Sequence, residues 1–168
     1  MPELTSALET IRPELMNVTR LFGLPESVWE EPVRYRMSTT ETPEKYIVTF
    51  TDGTDSATGE TEIPSDPDPR VQALHRRRAA RRLCKQTLYD LCRKTTGIHP
   101  PWGSMTGVRP THLMLEALAE GLSPEDAVER LVTRFDVLRP KAELHSHKTS
   151  THLLNRSRKN RLTYQKIR

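Results

Sequence analysis

Apolar residues recur at steps of three and four through residues 3–22: Leu4, Leu8, Ile11, Leu15, Val18 and then Leu21 or Phe22. That spacing places them on one face of an α-helix. Pro13 interrupts the pattern. Proline lacks the N–H that a helix interior needs, so it predicts a break or a late start. From Val33 to Met37 the period changes to two, with Val33, Tyr35 and Met37 on one side and Arg34 and Arg36 on the other. Lys45–Thr51 (KYIVTFT) is rich in β-branched and aromatic residues, as strands are. Asp52-Gly53 marks a turn, and Ala57–Ile63 reads as a short third strand. These segments predict a small antiparallel sheet.

Beyond Ser65-Asp66-Pro67-Asp68-Pro69 the period returns to that of a helix. Asp68 suits an N-cap and Pro69 the first helical position. The helix should run to about Thr96, with Gly97 just past its end. Leu74, Ala80, Cys84, Leu88 and Leu91 form its expected apolar face, and His75-Arg-Arg-Arg-Ala-Ala-Arg-Arg82 wraps around the rest. A further helix is predicted over about Thr111–Glu120, ending at Gly121. Ser123-Pro-Glu-Asp126 is a capping-box start for another, running to about Phe135. Arg139 opens a possible last helix. From His145 onward there is no acid and no sustained apolar period, so this tail is expected to be mostly disordered. No internal repeat is visible. The predicted class is α+β: an N-terminal domain over residues 1–144, with its sheet at about 30–64 and its helical bundle at about 68–144, and a loose basic tail at 145–168.

Composition sharpens the picture. The chain has 168 residues, enough for one ordinary domain. It is 35% hydrophobic and 29% charged, polar for a globular chain. No stretch approaches the roughly 20 apolar residues of a membrane span. The start, MPELTSALETIRPEL, lacks the apolar core of a signal peptide, so a cytoplasmic location is expected. Cys84 and Cys92 are the two cysteines. On one helix they lie about 12 Å apart along the axis, too far for a disulfide. They are expected to be reduced, semi-buried thiols. The net charge of +4 is unevenly spread. Residues 1–69 carry 5 basic and 14 acidic side chains, whereas residues 70–94 carry 9 and 1. Residues 145–168 carry 7 basic and no acidic side chain.

Candidate chemistry concentrates in the loop Pro100-Pro-Trp-Gly-Ser-Met-Thr-Gly-Val-Arg-Pro-Thr111. Its glycines permit tight turns, and Pro110 suits a helix start. Free N–H groups at such an end favour an anion. Arg109, flanked by Thr106 and Thr111, has the geometry to bind a carboxylate or phosphate in bidentate fashion. In the competing reading Trp102 and Val108 pin the loop to the core while Arg109 pairs with a nearby acid. The two glycines, Gly103 and Gly107, are too close for an ATPase phosphate loop, and no Gly-Lys-Ser/Thr follows. Arg76, Arg77, Arg78, Arg81 and Arg82 form a basic face that suits nucleic acid or an acidic partner surface, and the acidic first 69 residues are able to cover part of it. Aromatic residues, 5% of the chain, are not interleaved with it, which argues against a single-strand stacking platform. His145, His147 and His152 lack neighbouring cysteines or clustered acids, so no metal site is expected. No Ser-His-Asp set or paired carboxylates stand out.

Pro101-Trp-Gly-Ser-Met-Thr-Gly-Val-Arg-Pro-Thr111 resembles the PWGxLTGxRPT signature of HemZ-type coproporphyrinogen dehydrogenases, which are oxygen-independent coproporphyrinogen III oxidase-like radical S-adenosylmethionine proteins. Leu88-Tyr-Asp-Leu-Cys-Arg-Lys-Thr-Thr-Gly97 before it, and Gly121-Leu-Ser-Pro-Glu-Asp-Ala127 and Phe135-Asp-Val-Leu138 after it, extend the similarity. The similarity covers about residues 17–143, most closely 83–138. It implies a role in heme and porphyrin biosynthesis, the oxidative decarboxylation of two propionates of coproporphyrinogen III. In intact family members a following radical domain does the chemistry. There a Cys-x3-Cys-x2-Cys motif holds a [4Fe-4S] cluster that cleaves S-adenosylmethionine. That motif is absent here, and two cysteines do not make three cluster thiolates. The expectation is an accessory, truncated or split N-terminal part, inactive alone, with no cofactor of its own and a radical S-adenosylmethionine domain as its partner. Its loop then either binds a substrate propionate through Arg109 or docks the radical domain. The alternative function is a small nucleic-acid-binding protein using residues 70–94 and the tail.

Overall fold

The computed structural model describes residues 2–30, 35–106 and 109–147, with side chains from residue 10 onward. Helix α1 (Pro2–Leu21) is followed by a 3-10 turn (Glu26–Trp29), then β1 (Arg36–Glu41), β2 (Lys45–Thr51), β3 (Ser56–Glu62) and α2 (Pro69–Thr96). Helices α3 (Pro110–Ala119) and α4 (Pro124–Phe135) come next, and a further helical stretch, α5, covers 139–147. The predicted class, an antiparallel sheet followed by helices, is the observed one. The chain separates into two compact units, Met1–His99 and Pro100–Arg168. The sheet and α2 therefore belong to one body, and α3, α4 and α5 to the other.

In the first unit the three strands form a β1-β2-β3 meander, with Arg36 opposite Thr51 and Lys45 opposite Glu62. β1 lies later than the 33–37 alternation predicted, and Val33 and Arg34 fall outside the described residues. The strand instead runs through the polar stretch Ser38–Glu41, because pairing with the strongly strand-forming β2 satisfies its backbone. Tyr35, just before β1, is buried at 1% exposure. Asp52 closes the second hairpin by accepting bonds from the N–H groups of Thr54 (3.0 Å) and Asp55 (2.8 Å).

α2 packs on β2 and β3, and α1 packs on α2. Leu15, Val18 and Phe22 of α1, Val48 and Phe50 of β2, and Cys84, Leu88, Leu91 and Cys92 of α2 form the core. Fully burying each such aliphatic or aromatic side chain contributes about 1.5–3 kcal/mol. The close approach of α2 depends on Gly59: a Cβ there would lie 2.4 Å from Thr87 Oγ1 and 3.0 Å from Leu83 Cδ1. Thr87 is buried because its hydroxyl donates to the Leu83 carbonyl at 2.9 Å.

Two expectations about helices need correction. α1 continues through Pro13. Proline removes one helical bond, but Leu15 and Val18 beyond it are buried, and that packing holds the helix. Leu74, assigned to the buried face of α2, is 41% exposed, because the buried residues begin at Cys84, where α2 meets its partners. The ends of α2 match the reading. Asp68 accepts a bond from Arg70 N–H at 2.8 Å, and Gly97 caps the C-terminus with φ of 68°.

The second unit has its own core of Met105, Met114, Ala117, Ala127, Val128, Leu131, Val137 and Ala142. Ser123 caps α4 by accepting from Asp126 N–H at 3.0 Å. The expected tail boundary at His145 is too early. α5 extends to 147, and the His145 ring meets Trp102 edge-on at 5.0 Å. The rest of the predicted tail, including His152, lies outside the described residues.

Candidate functional site

The loop before α3 is anchored by its backbone. Gly103 N–H donates to the Pro100 carbonyl (2.9 Å) and Ser104 N–H to the Phe135 carbonyl (2.8 Å), while Leu138 N–H donates to the Pro101 carbonyl (3.2 Å). The Ser104 hydroxyl also donates to Phe135 O at 3.2 Å. Gly103 is buried with φ of 58°. A Cβ at this position would fall 1.9 Å from the Phe135 carbonyl oxygen and 2.5 Å from the Asp136 carbonyl carbon, so only glycine fits. Trp102 packs against the second core, with the Lys141 ammonium 5.9 Å from its ring centre. Pro101–Ser104 and Phe135–Leu138 are thus bonded to each other.

Thr106 is half-buried, whereas Gly107 and Val108 lie outside the described residues. Arg109 is the N-cap of α3 with extended backbone (φ −79°, ψ 121°) and no side-chain capping bond. Arg109 and Thr111 are both exposed, and Arg109 makes no ion pair among the described residues. The expected pairing of Arg109 with a local acid is therefore not seen there. Among the described residues of the loop, Trp102 and Gly103 are packed, whereas Arg109 and Thr111 are exposed.

The basic face of α2 lies in the first unit. Arg76 Nη1 pairs with Glu41 at 2.7 Å, and Arg81 Nη1 lies 3.5 Å from Glu14, whose other oxygen is 3.4 Å from Lys85. Lys94 pairs with Asp55 at 2.6 Å. Acids from α1 and the sheet thus cover part of the arginine run. Arg77, Arg78 and Arg82 are exposed and unpaired among the described residues.

A cleft absent from the sequence reading lies behind this face. It has a volume of about 270 Å³ and is lined by Thr10 and Ile11 of α1, Met37 and Tyr46 of the sheet, and Arg77, Ala80, Arg81 and Cys84 of α2. Burial pushes the Cys84 thiol up to about 11, against the opposing effect of a hydrogen bond with Tyr46. Burial, then proximity to Cys84, pushes Tyr46 up to about 12. Both are neutral near pH 7, and Cys84 is a poor nucleophile. Cys84 and Cys92 form no disulfide and are fully buried, more deeply than the semi-buried state expected. Arg77 and Arg81 were singled out for charge alone. Nothing in a linear pattern announces that residues from four elements converge around them.

Among the described residues, no group of three or more His, Cys, Asp or Glu side chains gathers as a metal site would require. None of their helices is long and apolar enough to cross a membrane. No known protein family, curated protein or solved structure matches this chain.

Proposed function

We propose that this chain is the non-catalytic N-terminal accessory domain of an oxygen-independent coproporphyrinogen III oxidase-like protein of heme biosynthesis. In this reading the loop Pro101–Thr111 is an elbow that docks a radical S-adenosylmethionine domain. The [4Fe-4S] cluster and S-adenosylmethionine belong to that partner, as does the oxidation of coproporphyrinogen III. The setting is cytoplasmic, in keeping with two free buried thiols. The observation that carries the reading is the seat of Gly103. Gly103, where a Cβ would collide with the Phe135 carbonyl, clamps the loop onto Phe135–Leu138, and Arg109 and Thr111 are exposed. The clamped base with exposed Arg109 and Thr111 supports docking over enclosure of a propionate, which needs a concave site.

Size-exclusion chromatography of the chain with the cluster-bearing domain of an intact homologue tests the proposal. Co-elution, weakened by Arg109→Ala, is expected, with no saturable binding of coproporphyrin III to the chain alone. Failure of the unmodified chain to co-elute would sink it. Coproporphyrin binding that Arg109→Ala abolishes would reassign the loop to the propionate. A second reading, nucleic-acid binding, draws on exposed Arg77, Arg78 and Arg82. Three phosphate contacts would give a log-affinity against log-salt slope of about −3. No retention on DNA or RNA at low salt would remove this reading.

A further inference from the structure

The cleft between α1, the sheet and α2 combines an apolar floor with a cationic mouth. Ile11, Met37 and Ala80 supply carbon surface. Arg77 and Arg81 stand one helical turn apart, so both side chains reach the same side of α2. Their charge is under-matched. Glu14 is shared between Arg81 and Lys85, and Arg77 is exposed with no ion pair among the described residues. Among the described residues, these three cations face one carboxylate, that of Glu14. Among the described residues the buried Arg81 Nε atom has no acceptor, while its Nη1 lies 3.5 Å from Glu14.

We propose that this cleft binds a small aliphatic monocarboxylate, its chain against Ile11, Met37 and Ala80 and its carboxylate on Arg77 and Arg81. The dimensions select the class. A volume of about 270 Å³ lies just below the range of about 300 to 1,000 Å³ usual for drug-sized ligands, and is too small to enclose a tetrapyrrole. The charge at the mouth disfavours a cation, and a neutral chain would leave the guanidinium surplus unmatched. A second carboxylate would have to enter an apolar floor. Cys84 contributes surface and not reactivity, because it is buried and its thiol stays protonated. The proposal rests on the Met1–His99 unit and is independent of the docking role assigned to the loop in the other unit.

Methyl NMR of the full chain labelled at methionine, titrated with octanoate, provides a site-specific test. The expected result is a saturable shift of the Met37 methyl with Met105 and Met114 unmoved. Octanol should bind at least about tenfold more weakly, and so should octanoate to Arg77→Ala, the loss expected when a charged hydrogen bond is removed. Arg77 is exposed, so this variant keeps the fold. Ala80→Leu, which fills the cleft without adding charge, should also abolish the shift. The proposal is overturned by the absence of a saturable Met37 shift. Equal shifts at Met37, Met105 and Met114 overturn it as well, as does octanol binding as tightly as octanoate with Arg77→Ala unaffected.

Discussion

At Gly103 the Phe135 carbonyl occupies the space where any side chain would begin. Gly121 also has positive φ, at 91°, but nothing lies within 4 Å of its missing Cβ. The pair separates backbone strain from steric clash. Gly121→Ala is expected to cost only the left-handed conformation, about 1 kcal/mol. Gly103→Ala adds the collision and should cost at least about 3 kcal/mol. Urea denaturation of the two variants checks this, and equal losses would mean that Phe135 simply moves aside. Cys84 supports a second prediction at this scale. Its folded thiol titrates at about 11 and its unfolded thiol near 9, so the unfolded chain releases the proton first. This contribution is fully present below pH 9 and is lost as pH rises through 11. By linkage it amounts to about 2–3 kcal/mol at most. Unfolding free energies measured between pH 8 and 11 should fall less steeply for Cys84→Ala than for the unmodified chain.

At the level of elements, helix ends were legible and helix interiors less so. Asp68, Gly97 and Ser123 all cap where their types and spacing predicted, because capping is a local exchange of one side-chain oxygen or one backbone conformation. β2 and the turn at Asp52-Gly53 were equally plain. β1 was placed too early because its outer half, Ser38–Glu41, carries no apolar signal; its hydrogen-bond partner lies in β2. Pro13 misled for the same reason, since the packing that keeps α1 intact is non-local. It is exposed, so Pro13→Ala restores a helical bond without disturbing the core. The substitution should raise stability by about 1–3 kcal/mol, measured by denaturant titration. A loss of stability would mean that the proline itself packs usefully.

At the level of the whole molecule there are two cores, one built by α1, the sheet and α2, the other by α3, α4 and α5 with Trp102 and Met105. The core residues of the first all fall within Met1–His99. A fragment of residues 1–99 is therefore expected to give a cooperative unfolding transition and near-UV dichroism from buried Trp29 and Tyr35. A fragment without tertiary dichroism would show that the first core needs the rest of the chain. The uneven charge also resolves at this scale. Acidic residues 1–69 and basic residues 70–94 meet as ion pairs at Glu14, Glu41 and Asp55. The basic face left over is smaller than the sequence count suggests.

The sequence by itself determined the order and type of the elements and the caps of α2 and α4. Each of these depends on residues a few positions apart. Tertiary structure alone decided that Gly103 is a clamp for Phe135, that Gly59 admits α2 onto the sheet, and that Arg77 and Arg81 stand over a cleft floored by Ile11 and Met37. Those facts depend on backbone surfaces and charges brought together from 20 to 70 positions away, and a periodic pattern holds no record of such distances.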